Sequence, residues 1–130
     1  MGRYIYRPID QTSSFIYTAD MKYNDRRRAE FQRLQRQLAR VGWISHGYVQ
    51  DRGSGAGGPC YQWTRKERKK TVSVALSKAQ YLWMKRAIAN WRQAQRLLKR
   101  MEQISRAVLF GTVRGPLRRK PLNKGVLGLN

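Results

Sequence analysis

The chain has 130 residues, 28 of them Lys or Arg against 7 Asp or Glu, for a formal charge of +21. One cysteine, Cys60, and one histidine, His46, exclude an intramolecular disulfide and leave too few ligands for a structural zinc site. No apolar run approaches the length of a membrane span, the 11% aromatic content excludes a wholly disordered charged chain, and so large a positive excess repels itself unless a polyanion accompanies it.

Residues 1–22 mix aromatic residues with turn formers and hold no period, so they read as an N-terminal arm. Arg3, Arg7 and Asp10 stand where a signal peptide needs an apolar core, and Tyr6 stands where myristoylation needs Ser or Thr; the expectation is a soluble, cytoplasmic protein. From Asn24 or Asp25, either a suitable N-cap, the residues Phe31, Leu34, Leu38 and Val41 recur at helical spacing up to Gly42, a natural stop. This predicts a first helix.

GWISHGYVQD, residues 42–51, is rich in aromatic and β-branched residues and predicts a strand, followed by the flexible loop RGSGAGGP at 52–59. That loop lacks the GKS or GKT ending of a phosphate-cradling motif and joins two strands instead of opening a helix. CYQWTRK and KKTVSVALS predict two more strands, with the turn at or near Glu67 and Arg68. Val72, Val74 and Leu76 alternate with Thr71, Ser73 and Ala75, giving the last strand one apolar face and one small, polar face.

Ser77 and Gln80 form the S-x-x-Q capping box of a long second helix, whose stripe of Met84, Ala87, Ile88, Trp91, Leu98, Met101, Ile104 and Val108 runs down to Gly111. Beyond it, residues 112–130 hold two prolines, several glycines and five basic residues, and read as a basic tail that is disordered on its own. The organisation expected is α+β: one domain, 23–111, with a three-stranded antiparallel sheet packed on a long C-terminal helix, a preceding helix, and irregular basic arms at either end.

The charge is spread through the predicted elements. Arg65, Lys66, Arg68, Lys69 and Lys70 crowd the hairpin turn, while Gln62, Thr64, Thr71 and Ser73 alternate along its strands onto one face. A β-ribbon fits the major groove of duplex DNA, where Gln reads adenine, Ser and Thr bond either type of base, and flanking cations reach phosphates. Tyr61 and Trp63 fall on the opposite face, where they are expected to pack on the second helix; turned outward they would stack on exposed bases and point to a single-stranded partner. Arg33, Arg36 and Arg40 form one like-charged helical row and Arg92, Arg96 and Arg100 another, each such pair costing about 0.2–0.5 kcal/mol in an isolated helix. Arg stems covering apolar surface account for part of this pattern, and a phosphate partner accounts for both rows at once. Arg118, Arg119 and Lys120 in the tail complete the candidate nucleic-acid contacts.

GWISHGYV, YQWTRKERKKTVSVALS and the helix ending near ISRAVLFG resemble a family of short, basic, uncharacterised bacterial proteins often associated with mobile elements, over residues 28–112. The three strands followed by a helix are also similar to the arm-binding domain of phage integrases and to the plant ethylene-response type of DNA-binding domain. That likeness implies a sheet in the major groove braced by the helix, with Gln62, Thr64, Arg65, Thr71 and Ser73 at reading positions and Lys66 through Lys70 near the backbone.

The seven carboxylates are scattered, and Ser45 and His46 point to opposite faces of their strand, so no catalytic group, metal site or cofactor is expected. The partner expected first is double-stranded DNA. RNA, with the chain as a subunit of a ribonucleoprotein, is the rival within the class. A regulatory adaptor docking on an acidic protein through the second helix is the rival from another class, and Ile88, Trp91, Leu98 and Met101 of that helix are expected to pair with the first helix or with another subunit, as in a homodimer. No membrane partner is expected.

Overall fold

A computed structural model describes residues 21–53 and 60–129. The expected arm lies outside the described residues except for its last two, which are already helical, and most of the glycine loop, 54–59, lies outside them as well. The elements are α1 (Met21–Ala39), β1 (Tyr48–Asp51), β2 (Tyr61–Glu67), β3 (Lys70–Leu76), α2 (Lys78–Thr112) and a single turn, α3 (Lys124–Leu127). The fold is α+β as expected, with an antiparallel sheet in the order β1-β2-β3 and the long α2 packing on it. By their contacts the described residues divide into two compact units, residues 37–97 and residues 21–36 with 98–129.

In the unit of residues 37–97, Ser77 and Gln80 close the expected capping box: the Ser77 amide donates to Gln80 Oε1 at 2.9 Å and the Gln80 amide to Ser77 Oγ at 3.1 Å. Two of the free donors at the start of α2 are thereby satisfied. The strand expected over 42–51 is shorter, because residues 42–47 serve α2 instead of the sheet. The Ser45 amide donates to the Ala87 carbonyl at 3.2 Å, and Asn90 Nδ2 donates to the Trp43 carbonyl at 2.9 Å. Ala87 is small enough to admit this approach and is 1% exposed. Gly47, at φ +105°, turns the chain into β1. Tyr61 stacks on Tyr81 of α2 with ring centroids 4.8 Å apart, and Trp63 Nε1 donates to the His46 carbonyl at 3.0 Å. These contacts put Tyr61 and Trp63 on the helix-side face, as their alternation requires.

The apolar stripe of α2 differs in one place. Leu98 is 45% exposed, and the buried residues are Ala94 and Leu97. Positions 94, 97, 101, 104 and 108 step by three and four and hold one face, whereas 98 falls about 100° further round from 97.

In the other unit, α1 starts before the expected caps. Asn24 lies inside the helix, with only 5% of its surface exposed, so neither it nor Asp25 is the N-cap. The far end of α1, which belongs to the unit of residues 37–97, matches more closely, Arg40 and Val41 adding tight turns that donate to Gln37 and Leu38. Phe31 of α1 and Ile104 and Val108 of α2 line a cavity of about 340 Å³ with Asn24, Arg27, Arg28 and Ser105. The tail, expected to be disordered, has local order. Asn123 caps α3 by accepting from the Val126 amide, Gly128 adopts the left-handed conformation that ends it, and Arg106 donates to the Gly128 carbonyl at 3.4 Å. A cap at each end stabilises a turn that composition alone disfavours.

Candidate nucleic-acid interface

Register decides which side chains share the outer face of the sheet. Gln50, Gln62 and Ala75 lie side by side across the three strands; Tyr48, Thr64 and Ser73 form the next row; Lys66 and Thr71 form the third. Since side chains alternate along a strand, this whole set points away from Tyr61, Trp63, Val72 and Leu76. Gln50, Lys66, Thr71, Ser73 and Ala75 are exposed, and Tyr48 is 53% exposed. Thr64, at the centre, is buried by its neighbours and shares a hydrogen bond of 3.2 Å with the Ser73 hydroxyl. Two hydroxyls linked this way are fixed in position while Ser73 stays open to solvent.

Gln62, Thr64, Thr71 and Ser73 are therefore brought together on one face as their alternation indicated. Tyr48 and Gln50 were not among the residues singled out from sequence, because the strand was started six residues too early and its alternation was blurred. Arg52, directly after β1, belongs to the same face: its Nη1 donates to Gln62 Oε1 at 3.4 Å. The signal that finds these three is the i, i+2, i+4 run Tyr48, Gln50, Arg52.

Arg65 does not join them. It pairs with Val72 in the register and lies on the helix-side face, its guanidinium 4.6 Å above the Trp63 ring and its Nε donating to Glu67 Oε2 at 2.8 Å. The base-reading place that the integrase likeness implies for Arg65 is corrected: an odd-numbered residue of β2 cannot reach the Gln62 face without breaking the alternation.

The turn centres one residue later than expected, on Arg68 and Lys69, with φ +47° and +68°. Two positive φ values in a two-residue hairpin loop mark a type I′ turn, whose favoured residues are Asn and Gly. Side chains with a Cβ resist this region at roughly 1–2 kcal/mol per residue. Both residues are exposed, as are Lys66 and Lys70. The tip thus holds cations in a conformation that other residues adopt more cheaply.

The helical rows divide. Arg100 donates from Nε and Nη2 to the two carboxylate oxygens of Glu30 at 2.8 and 3.0 Å, so it is neutralised within the chain and drops out of the phosphate set. This bond, ahead of the opposing effect of burial, holds the Glu30 carboxyl below its usual range, with Arg33 and Arg27 adding to it, and raises Arg100. Arg33, Arg36, Arg40, Arg92 and Arg96 are exposed and form no ion pair among the described residues. Arg118, Arg119 and Lys120 are exposed in the segment between α2 and α3, where Arg118 lines a pocket with Leu109 and Phe110 of α2. Among the described residues no three His, Cys, Asp or Glu side chains gather as a metal site, and no helix is long and apolar enough to cross a membrane.

The chain matches no family model, no curated protein and no solved structure.

Proposed function

We propose that the chain binds nucleic acid, duplex DNA by preference, by laying the outer face of its sheet into the major groove with the Arg68–Lys69 turn against the phosphate backbone. The observation that carries this reading is the turn. A hairpin selected only for stability gains by placing Asn-Gly at two positive-φ positions, whereas this one keeps two cations there. The polar rows behind it supply amide and hydroxyl groups for base edges, and the exposed arginines of α1 and α2 add a long-range attraction for a polyanion. The setting we propose is a mobile element in the bacterial cytoplasm. The free Cys60 suits that reducing compartment.

Competition between duplex DNA, structured RNA and single strands of matched length tests the choice of ligand. Duplex DNA is expected to compete best. A clear preference for structured RNA replaces the reading with a ribonucleoprotein subunit. A second reading, an adaptor docking through α2, is favoured by Leu82, Trp83 and Leu98, which leave about half their surface exposed. Ile88, by contrast, is buried in the chain's own core and is not available to a partner. A stoichiometric protein that stays bound after nuclease treatment would support the adaptor.

A further inference from the structure

The hairpin loop fixes which backbone groups of β3 face its open edge. Arg68 and Lys69 make a two-residue loop, and in such a hairpin the flanking residues, Glu67 and Lys70, form a hydrogen-bonded pair. Bonded and non-bonded pairs then alternate, so Lys70, Val72, Val74 and Leu76 bond to β2, while Thr71, Ser73 and Ala75 turn N–H and C=O outward. A bond on the other side of β2 agrees: the Arg52 amide donates to the Cys60 carbonyl at 2.6 Å, which assigns even-numbered residues there to β1 and odd-numbered ones to β3. β3 ends the strand order, and along that edge its outward groups meet no partner strand among the described residues.

The two edges of the sheet are unlike. β1 has four residues and ends at Asp51, whose carboxylate accepts from the Gly53 amide at 2.9 Å. β3 has seven, pairs with β2 without a bulge, and from Thr71 to Leu76 carries neither charge nor proline, in a chain of +21. Edges that stay single are ordinarily short, charged, bulged or broken by proline. Its apolar side is also incompletely covered, Val74 being 40% exposed.

We infer that β3 joins the β3 of a second copy of the chain, the two strands running antiparallel about a two-fold axis at Ser73 and making one continuous sheet. That centre is the register that uses every outward group. Ser73 faces its own mate, Thr71 faces the second copy's Ala75, and Ala75 faces the second copy's Thr71, each pair exchanging two hydrogen bonds. Val72 then lies against the second copy's Val74 on the helix-side face, which covers the exposed Val74 with an apolar neighbour twice over. Charge selects a like strand as the occupant. Lys70 meets the second copy's Leu76 and stands about 20 Å along the strand from its own mate, and the uncharged stretch between them offers an acidic segment nothing to pair with. The inference stands apart from the choice of ligand. The axis is perpendicular to the sheet, so both outer faces look the same way, and a duplex lying on them would meet one set of groups twice in opposite directions.

Light scattering of the full chain without nucleic acid, in about 0.5 M salt to screen the repulsion between two copies, reads the mass. The unaltered chain should be a dimer whose fraction rises with concentration. Ala75→Pro removes an outward N–H and leaves the bonds to β2 in place, so it should give a monomer with an unchanged circular dichroism spectrum. Disulfide trapping in a Cys60→Ser background reads the register independently of that variant. Ser73→Cys should cross-link to itself; Thr71→Cys and Ala75→Cys should each fail alone, their mates lying beyond the roughly 7 Å that a disulfide spans, and should cross-link when mixed. A monomer at every concentration, a folded Ala75→Pro that stays dimeric, or cross-linking of Thr71→Cys with itself overturns the inference and leaves duplex binding to its own test.

Discussion

Arg100 grips Glu30 with two hydrogen bonds across 70 residues of sequence, joining α1 to the second half of α2 through a two-pronged ion pair. The folded chain lowers the Glu30 pKa, so the stabilisation is complete above the unfolded carboxyl value, about 4.3, and disappears as pH falls through the lower folded value. Both partners are partly exposed, at 29% for Glu30 and 49% for Arg100, which limits the pair to about 0.5–1 kcal/mol. Urea denaturation of Glu30→Gln should therefore show that deficit at pH 7 and a shrinking one as the pH is lowered below the unfolded carboxyl value. A deficit that stays constant as the pH is lowered means that the carboxylate charge is not its source.

Replacing Arg68 and Lys69 by Asn and Gly should raise stability by about 1–2 kcal/mol, since each residue then accepts its positive φ more readily. The same double variant should bind DNA more weakly. Denaturation and titration on one preparation check both, and only opposite signs agree with a turn kept for its charge.

Gly47→Ala should be costly. At φ +105° a Cβ would sit 2.6 Å from the Thr64 carbonyl oxygen and 2.6 Å from Trp63 Nε1, so strain adds to a clash with the central strand. The expected loss exceeds the roughly 1–3 kcal/mol of backbone strain alone, and a thermal midpoint within a degree of the parent would refute it.

Leu97→Ala and Leu98→Ala separate the observed stripe from the expected one. Leu97 is 8% exposed, and its truncation should cost about 2–5 kcal/mol; that of the half-exposed Leu98 should cost well under half as much. Equal losses would mean that a partner or second copy covers Leu98.

The parts of the fold that were legible in the sequence are those written in neighbouring residues. Ser77 and Gln80 announced the start of α2, and the alternation through Thr71, Val72, Ser73 and Val74 announced both the strand and its two faces. The start of β1 was illegible because GWISHG has strand chemistry but gives its backbone to Ala87 and Asn90, partners found only after folding. Arg100 was illegible for the same reason, its carboxylate lying in a different helix. Arg65 was misplaced by charge, which groups it with Lys66, when alternation alone puts it beside Trp63. In the tail, Asn123 and Gly128 did carry cap signals, and the surrounding prolines and cations outweighed them in a reading by composition.

The most direct test of the interface is the salt dependence of duplex-DNA affinity. Arg52, Lys66, Arg68 and Lys69 border the outer face, and if each meets one phosphate the slope of log K against log salt is about −3.6, at about −0.9 per contact. Neutralising Arg68 and Lys69 should make that slope shallower by about 2. A slope near zero, or one that the double substitution leaves unchanged, would contradict the claim that this turn is where the chain meets DNA.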